Sequence, residues 1–267
     1  MTTETTTAPL VLSTIEDGVA LLTWNRPERN NAWTVELEGA YFDLLEQCTA
    51  NPAVRAIVVT GAGKSFCPGL DAKALDGISN GIDTKPHERR PMTLPTAIPK
   101  PIIAAINGAC AGVGLIQALA CDLRFVASTA RLSTAFSRRG IMAEHGVAWL
   151  LPRVVGWGNA VDLLYSGRVI GSEEALAMGL VNRVIEPSDL LPAALQYARE
   201  LATWASPTAV GYMKEQLLHA QTQTLEEARQ EALGLWRGTL RVHPDFREGV
   251  RSFIERREPS FAPWAPK

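Results

Sequence analysis

An α/β fold is what this sequence predicts, and three observations predict it. Short apolar runs rich in β-branched residues, such as 56–60 and 101–106, have the length and composition of buried strands. Helical patterns separate those runs. From residue 190 onward the pattern is helical throughout, at 190–204, 208–218, 225–240 and 244–256. Strands alternating with helices, then helices alone, imply an α/β core over residues 1–190 and a helical region over 191–267.

Each element has a local reason. Runs 10–15 and 19–24 meet at Asp17-Gly18, a hairpin signal, and a turn-rich loop occupies 25–32. Thr34 is placed to cap a helix running to about Ala50, which Asn51-Pro52 ends. The strand at 56–60 leads into a glycine-punctuated loop, Gly61 to Asp71. Polar residues 76–90, with Gly, Pro and Asn, predict a mobile flap. The strand at 101–106 leads into a second loop, Asn107 to Gly114, then an apolar helix at 115–121 and a strand at 122–126. Beyond these come 131–134, a loop around Gly140, a short helix at 146–151, and a helix that residues 152–158 introduce and Ser166-Gly167 ends. Ser172 is placed to cap another helix with Glu173 and Glu174 in its first turn, and 180–185 reads as the last strand. No internal repeat is visible, and no low-complexity segment apart from the threonine-rich start.

Composition narrows the function classes. Hydrophobic residues make up 46% and charged ones 20%, a globular profile. A formal net charge of −2 gives no electrostatic reason to bind nucleic acid. Cys48, Cys67, Cys110 and Cys121 form no C-x-x-C pair and read as small buried hydrophobes in a reducing compartment, so no metal is expected. No basic region followed by an apolar core opens the chain, and no apolar run approaches the roughly 20 residues that span a bilayer. The expectation is a cytoplasmic protein without membrane partners.

Two glycine loops, each after a buried strand, are the features that point to chemistry. Gly61-Ala62-Gly63-Lys64-Ser65 resembles the end of a phosphate-binding P-loop, but Val58 stands where the first glycine is needed. Gly112-Val113-Gly114 begins a dinucleotide fingerprint that meets Gln117 instead of its third glycine. No G-x-S-x-G occurs. Both loops can be plain tight turns. Backbone N–H groups from two separate loops can also clamp one oxygen, the second loop doing so at the positive end of a helix.

Trp24-Asn25-Arg26-Pro27-Glu28 with Asn31-Ala32, the segment Val59 to Asp71, and Pro101 to Gly108 resemble the crotonase (enoyl-CoA hydratase/isomerase) superfamily. Cys121-Asp122, Leu150-Leu151-Pro152-Arg153, Ala177-Met178-Gly179-Leu180-Val181 and Glu248 to Phe253 continue the match over nearly the whole chain. The resemblance implies a ββα spiral core with C-terminal helices that trimerise, as a homotrimer or a homohexamer built as a dimer of trimers. It implies an acyl-CoA thioester substrate, with coenzyme A as part of that substrate and no tightly bound cofactor. It places the oxyanion-binding N–H groups at Leu70 and Val113, the latter where many relatives have glycine.

The resemblance also locates the acid–base groups, and here the chain departs from the pattern. Family hydratases carry two glutamates where Ile116 and Phe136 align. Hydrocarbon side chains move no protons. Glu144, in Gly140-Ile141-Met142-Ala143-Glu144-His145-Gly146, matches the single carboxylate of some double-bond isomerases and implies a 3-enoyl to 2-enoyl shift. A hydratase or hydrolase using Glu144 with His145, or a non-catalytic acyl-CoA-binding protein, is the alternative. A surface Glu144 paired with His145 is the bland reading. For the coenzyme A moiety the resemblance points to Arg29, to Ala62, Lys64, Phe66, Gly69, Leu70 and Asp71 in the first loop, to Gly112, and to Phe253 and Arg256 from a neighbouring subunit. The same C-terminal charges can be a solvated run.

Overall fold

The computed structural model describes residues 8–81 and 89–264. β1 (Val11–Glu16) and β2 (Val19–Trp24) pair antiparallel across Asp17 and Gly18, whose φ angles are 50° and 77°. Two successive left-handed residues make the tight turn whose twist suits the strands it joins. The Thr34 hydroxyl accepts the Leu37 N–H at 3.2 Å and opens α1 (Val35–Ala50), as expected.

Then follow β3 (Ala56–Gly61), β4 (Ser65–Cys67), α2 (Ala72–Ser79), α3 (Leu94–Ala97), β5 (Ile102–Ile106), β6 (Ala109–Ala111), α4 (Val113–Ala120), β7 (Leu123–Ala127) and β8 (Arg131–Ser133). The chain continues through α5 (Val147–Val155), α6 (Trp157–Ser166), β9 (Ile170–Gly171), α7 (Ser172–Ala177), β10 (Arg183–Ile185), α8 (Leu190–Trp204), α9 (Pro207–His219), α10 (Leu225–Gly238) and α11 (Pro244–Glu255).

Two sheets result. A six-stranded sheet runs β1-β2-β3-β5-β7-β10 and is parallel apart from β1; a four-stranded sheet runs β4-β6-β8-β9. A large-sheet strand, a small-sheet strand and a helix recur as β3-β4-α2, β5-β6-α4 and β7-β8-α5. This is the ββα spiral expected from the resemblance. The repeat escapes sequence inspection because β4, β6 and β8 are three residues long each.

Helix α8 closes one face of the large sheet, touching β2, β3, β5 and β7. Its buried residues Leu190, Ala194, Ala198 and Ala202 recur every fourth position, a stripe small enough for helix and sheet to approach closely. Between α1 and the strands, Trp24, Trp33, Tyr41, Phe42 and Phe66 are fully buried together, with Trp24 edge-on to Trp33 at 5.3 Å and against Phe66 at 4.5 Å. All four cysteines are buried and free, and burial pushes the thiols of Cys67 and Cys121 up to about 12.

Several local expectations need correction. Ser172 is the first helical residue of α7 rather than its cap, because its hydroxyl donates to the Ser128 carbonyl at 2.7 Å. Helix α5 runs through Pro152 to Val155; proline removes only the bond to Ala148, whose residue is exposed to water. The flap expected over 76–90 is helical at its start, in α2. Its end is anchored to α1: Arg89 pairs with Glu38, and Arg90 reaches Asp43 at 2.7 Å and Glu46 at 3.0 Å. Residues 82–88 lie outside the described residues.

Among the described residues Lys100 is the one buried lysine. Its ammonium donates to the carbonyls of Cys48 (2.6 Å) and Asn51 (2.7 Å), the end of α1 where unpaired carbonyls favour a cation. Burial lowers its pKa from 10.5 to about 8. The folded value lies below the unfolded one, so between those limits the unfolded chain binds more protons and this group makes stability rise with pH. In Lys100→Met, urea unfolding across that range should lose this rise, and at neutral pH the loss of both hydrogen bonds, with the Asn51 carbonyl keeping only the Val54 N–H, should lower stability by about 2 kcal/mol.

Candidate active site

The glycine loops are built by backbones that approach with no side chain between them. A Cβ on Gly108 would collide with the Lys64 carbonyl, and one on Gly114 with the Cys67 carbonyl. These contacts allow β4 to lie beside β6, with Ser65 opposite Ala109 and Cys67 opposite Cys110. Past the strands, Gly69 (φ 119°) and Gly112 (φ 50°, ψ −118°) take conformations that side chains disfavour, and a Cβ on Gly112 would lie 3.8 Å from the Gly69 Cα. Leu70 and Val113 follow directly on these two abutting glycines.

Both amides are left unspent. Trp33 forms a parallel bridge with Leu70: its N–H donates to the Gly69 carbonyl (2.8 Å) and its carbonyl accepts the Asp71 N–H (2.9 Å). Such a bridge turns Leu70's own N–H to the opposite edge. Val113 is the first residue of α4, where no intrahelical acceptor exists. Among the described residues neither N–H donates a hydrogen bond. At the other end of α4 the buried Arg124 guanidinium donates to the carbonyls of Cys121 (2.9 Å) and Ala118 (3.4 Å), so the C-terminus of the helix meets charge of the favoured sign. Two free donors at a helix N-terminus can polarise a carbonyl oxygen and hold it as an oxyanion.

The two positions that align with the glutamates of family hydratases are hydrocarbon. Ile116 and Phe136 are both buried, and Ala135 before Phe136 is held at φ 61°. Glu144 is half-buried on the loop before α5, its carbonyl accepting the Val147 N–H at 3.1 Å. His145 is exposed and left-handed (φ 53°), followed by left-handed Gly146. A Cβ on Gly146 would lie 3.8 Å from Thr93 Cγ2, and the neighbouring Met92 carbonyl accepts the side-chain N–H of Gln117 at 2.9 Å. The loop bearing Glu144 is thus linked through 92–93 to the second turn of α4.

Of the residues expected near coenzyme A, Arg29 and Asp71 line one cavity of about 580 Å³ together with Arg26 and Lys73. Ala62 is half-buried and Lys64 exposed, whereas Phe66 is locked against Trp24 and offers a ligand only its backbone. Phe253 is 84% exposed and lines a separate cavity of about 520 Å³; Arg256 ends α11 at φ 55°. Phe253 and the pair Arg29 and Asp71 thus line different cavities.

The residues that hold the first loop in shape were not singled out as site residues from sequence. Asn31, fully buried at φ 60°, donates to the carbonyls of Ala62 (2.9 Å) and Ser65 (2.7 Å) and accepts the Arg26 N–H (2.9 Å). Asn107 donates to the carbonyls of Gly61 and Gly63, both at 2.9 Å. The usable signal was asparagine beside glycine-rich loops, since its amide mimics a backbone group.

The whole chain has close counterparts. The enoyl-CoA hydratase/isomerase family model matches residues 14–263. A 1,2-epoxyphenylacetyl-CoA isomerase of Escherichia coli is 36% identical over 261 residues, covering 94% of this chain and 97% of the relative. An (E)-benzylidenesuccinyl-CoA hydratase of Thauera aromatica is 36% identical over 257 residues, covering 92% and 96%. The crystal structure of an enoyl-CoA hydratase from Bacillus anthracis superposes with a TM-score of 0.85 at 28% identity, covering 95% of this chain and 99% of that one.

Alanine at position 114 tests the backbone approach. Gly114→Ala should cost about 4 kcal/mol or more in denaturant unfolding, because the clash is with backbone and cannot be relieved by a rotamer. Matched over nearly its full length by the family model and by these relatives, the chain belongs to the enoyl-CoA hydratase/isomerase family and is an enzyme of that type.

Proposed function

We propose that this enzyme of CoA thioesters works through an enolate whose oxygen is held by the Leu70 and Val113 amides, and that its reaction is a double-bond shift with Glu144 as proton shuttle. The observation that carries the proposal is the pair of unspent amides on abutting glycine loops. One such donor is worth about 2.7–4 kcal/mol of transition-state stabilisation.

In a 3-enoyl thioester, the Glu144 carboxylate takes a proton from C2. The C–H electron pair flows into the conjugated system, placing negative charge on the thioester oxygen. The carboxylic acid then returns the proton to C4, giving the 2-enoyl product and restoring Glu144. A single carboxylate suffices, which is why the hydrocarbons Ile116 and Phe136 favour isomerisation over two-carboxylate hydration. The relatives' names include both an isomerase and a hydratase, so family membership alone does not choose. Both of those names carry an aromatic acyl group, which makes aromatic thioesters part of the substrate panel. A hydratase or hydrolase using Glu144 with His145 is the second reading, and binding without turnover the third.

The test follows acyl protons by NMR in deuterated water with 3-enoyl-CoA and saturated thioesters, for wild type and Glu144→Gln. Exchange at C2 and double-bond migration in the wild type should fall about a hundredfold or more in the variant, with thioester affinity kept. Hydration of 2-enoyl-CoA without migration would replace the isomerase reading by the hydratase one. Binding without any exchange would leave a binding protein. The C-terminal helices are assigned to oligomer contact on the exposure of Phe253 and of Ile254, which is 72% exposed on α11. Light scattering should then give three or six copies, and Phe253→Asp should dissociate them; a monomeric wild type overturns that assignment.

A further inference from the structure

Arg26 is not explained by the mechanism above, yet it is heavily engaged. Its guanidinium Nη1 donates to the Ala32 carbonyl at 2.5 Å, and Nη2 lies 3.3 Å from Asp71 Oδ2. Its own N–H and carbonyl are bound by Asn31, the N–H by the side chain and the carbonyl by the backbone N–H, both at 2.9 Å. The side chain is only 17% exposed. Asp71 is the residue after Leu70, and its other oxygen accepts the Lys73 N–H at 3.1 Å at the start of α2. That N–H, and after it the Arg26 guanidinium, hold the Asp71 carboxyl below the usual carboxylate range, so it is an anion at neutral pH.

An anion one residue from an oxyanion donor opposes the reaction. Developing charge on an enolate oxygen at the Leu70 amide would be repelled by an uncompensated Asp71 carboxylate. We propose that Arg26 is a positioning residue that clasps Asp71, fixing the direction of the Leu70 N–H and cancelling the negative charge on the residue beside that donor. The inference rests on the reading of Leu70 as an oxyanion donor. Both ends of the loop from Ala62 to Asp71 are held by the same short segment: Asn31 takes Ala62 and Ser65, while Arg26 takes Asp71 and the Trp33 backbone takes Gly69 and Asp71. Removing Arg26 therefore takes one of the holds from that end of the loop and leaves the Asp71 carboxylate without its paired cation at once.

Two effects in one residue make the role separable from simple fastening. Arg26→Met should lower kcat about ten- to a hundredfold, as small misplacements of an aligned group do. Adding Asp71→Asn to Arg26→Met should recover part of that loss, since the repelling charge is gone. The infrared carbonyl band of hexanoyl-CoA labelled with ¹³C at C1 should shift to lower frequency on binding the wild type, less in Arg26→Met, and partly again in the double variant. A pure fastener predicts a double variant no better than Arg26→Met, and that outcome overturns the proposal. Arg26 also lines the cavity with Arg29 and Lys73, so a loss confined to thioester affinity, with kcat and the band unchanged, overturns it in favour of ligand contact. Absence of any band shift in the wild type sinks the Leu70–Val113 reading itself and this inference with it. Should Arg26→Met not fold, Arg26→Lys, which keeps the charge and loses the forked geometry, should fall between wild type and the expected loss; an unchanged Arg26→Lys band and kcat, with Asp71→Asn equally silent, refutes the clasp.

Discussion

The close approach of β4 to β6 and the start of α4 is the constraint on which the rest of the site depends. Gly108 and Gly114 allow two backbones to meet where any Cβ would strike a carbonyl. Because the strands meet there, the loops that leave them meet as well, and Gly69 comes to rest against Gly112. The proposed chemistry is downstream of that contact: the direction of the Leu70 amide and the unspent N–H at the first residue of α4. The large sheet, the aromatic cluster around Trp24 and the stripe of α8 serve to hold β3 and β5, from which β4 and β6 spring, at a fixed separation.

The parts legible in the sequence were those with local causes. The hairpin at Asp17-Gly18, the Thr34 cap and the apolar strands of the large sheet follow from turn chemistry, capping and composition, and the structure keeps them. The small sheet was not legible because three-residue strands carry no periodicity. Helix α2 was hidden because Asp76, Gly77 and Ser79 read as loop residues, and the end of the expected flap was hidden because Arg89 and Arg90 answer to carboxylates some fifty positions away. The amide pair could be placed at Leu70 and Val113 only through resemblance. Glycine spacing alone leaves a tight turn as good an explanation, until the fold shows which two loops touch. Asn31 and Asn107 act through hydrogen bonds to distant backbone and Arg26 through the distant Asp71 carboxylate, so the sequence offers the asparagines' chemistry but not the partners.

In the mechanism proposed, polarising the oxygen and moving the proton are physically separate jobs. The first falls to main chain at the junction of two strands and a helix. The second falls to Glu144, on a loop strained at His145, since Ile116 and Phe136 are hydrocarbon. The strain is consistent with a loop shaped for something other than stability, since left-handed non-glycine residues persist where surrounding structure enforces them.

This separation has a consequence for how such a protein can change over evolutionary time. A donor made of main chain has no side-chain identity to lose: if the Leu70 and Val113 amides hold the oxygen as proposed, their side chains can drift without removing the donors. Positions such as Ile116, Phe136 and Glu144 could then be reassigned one at a time, each trial beginning from a scaffold able to hold an enolate. A lineage built this way diversifies by relocating its proton carrier, and the glycines, which contribute no functional group, become the residues it can least afford to exchange.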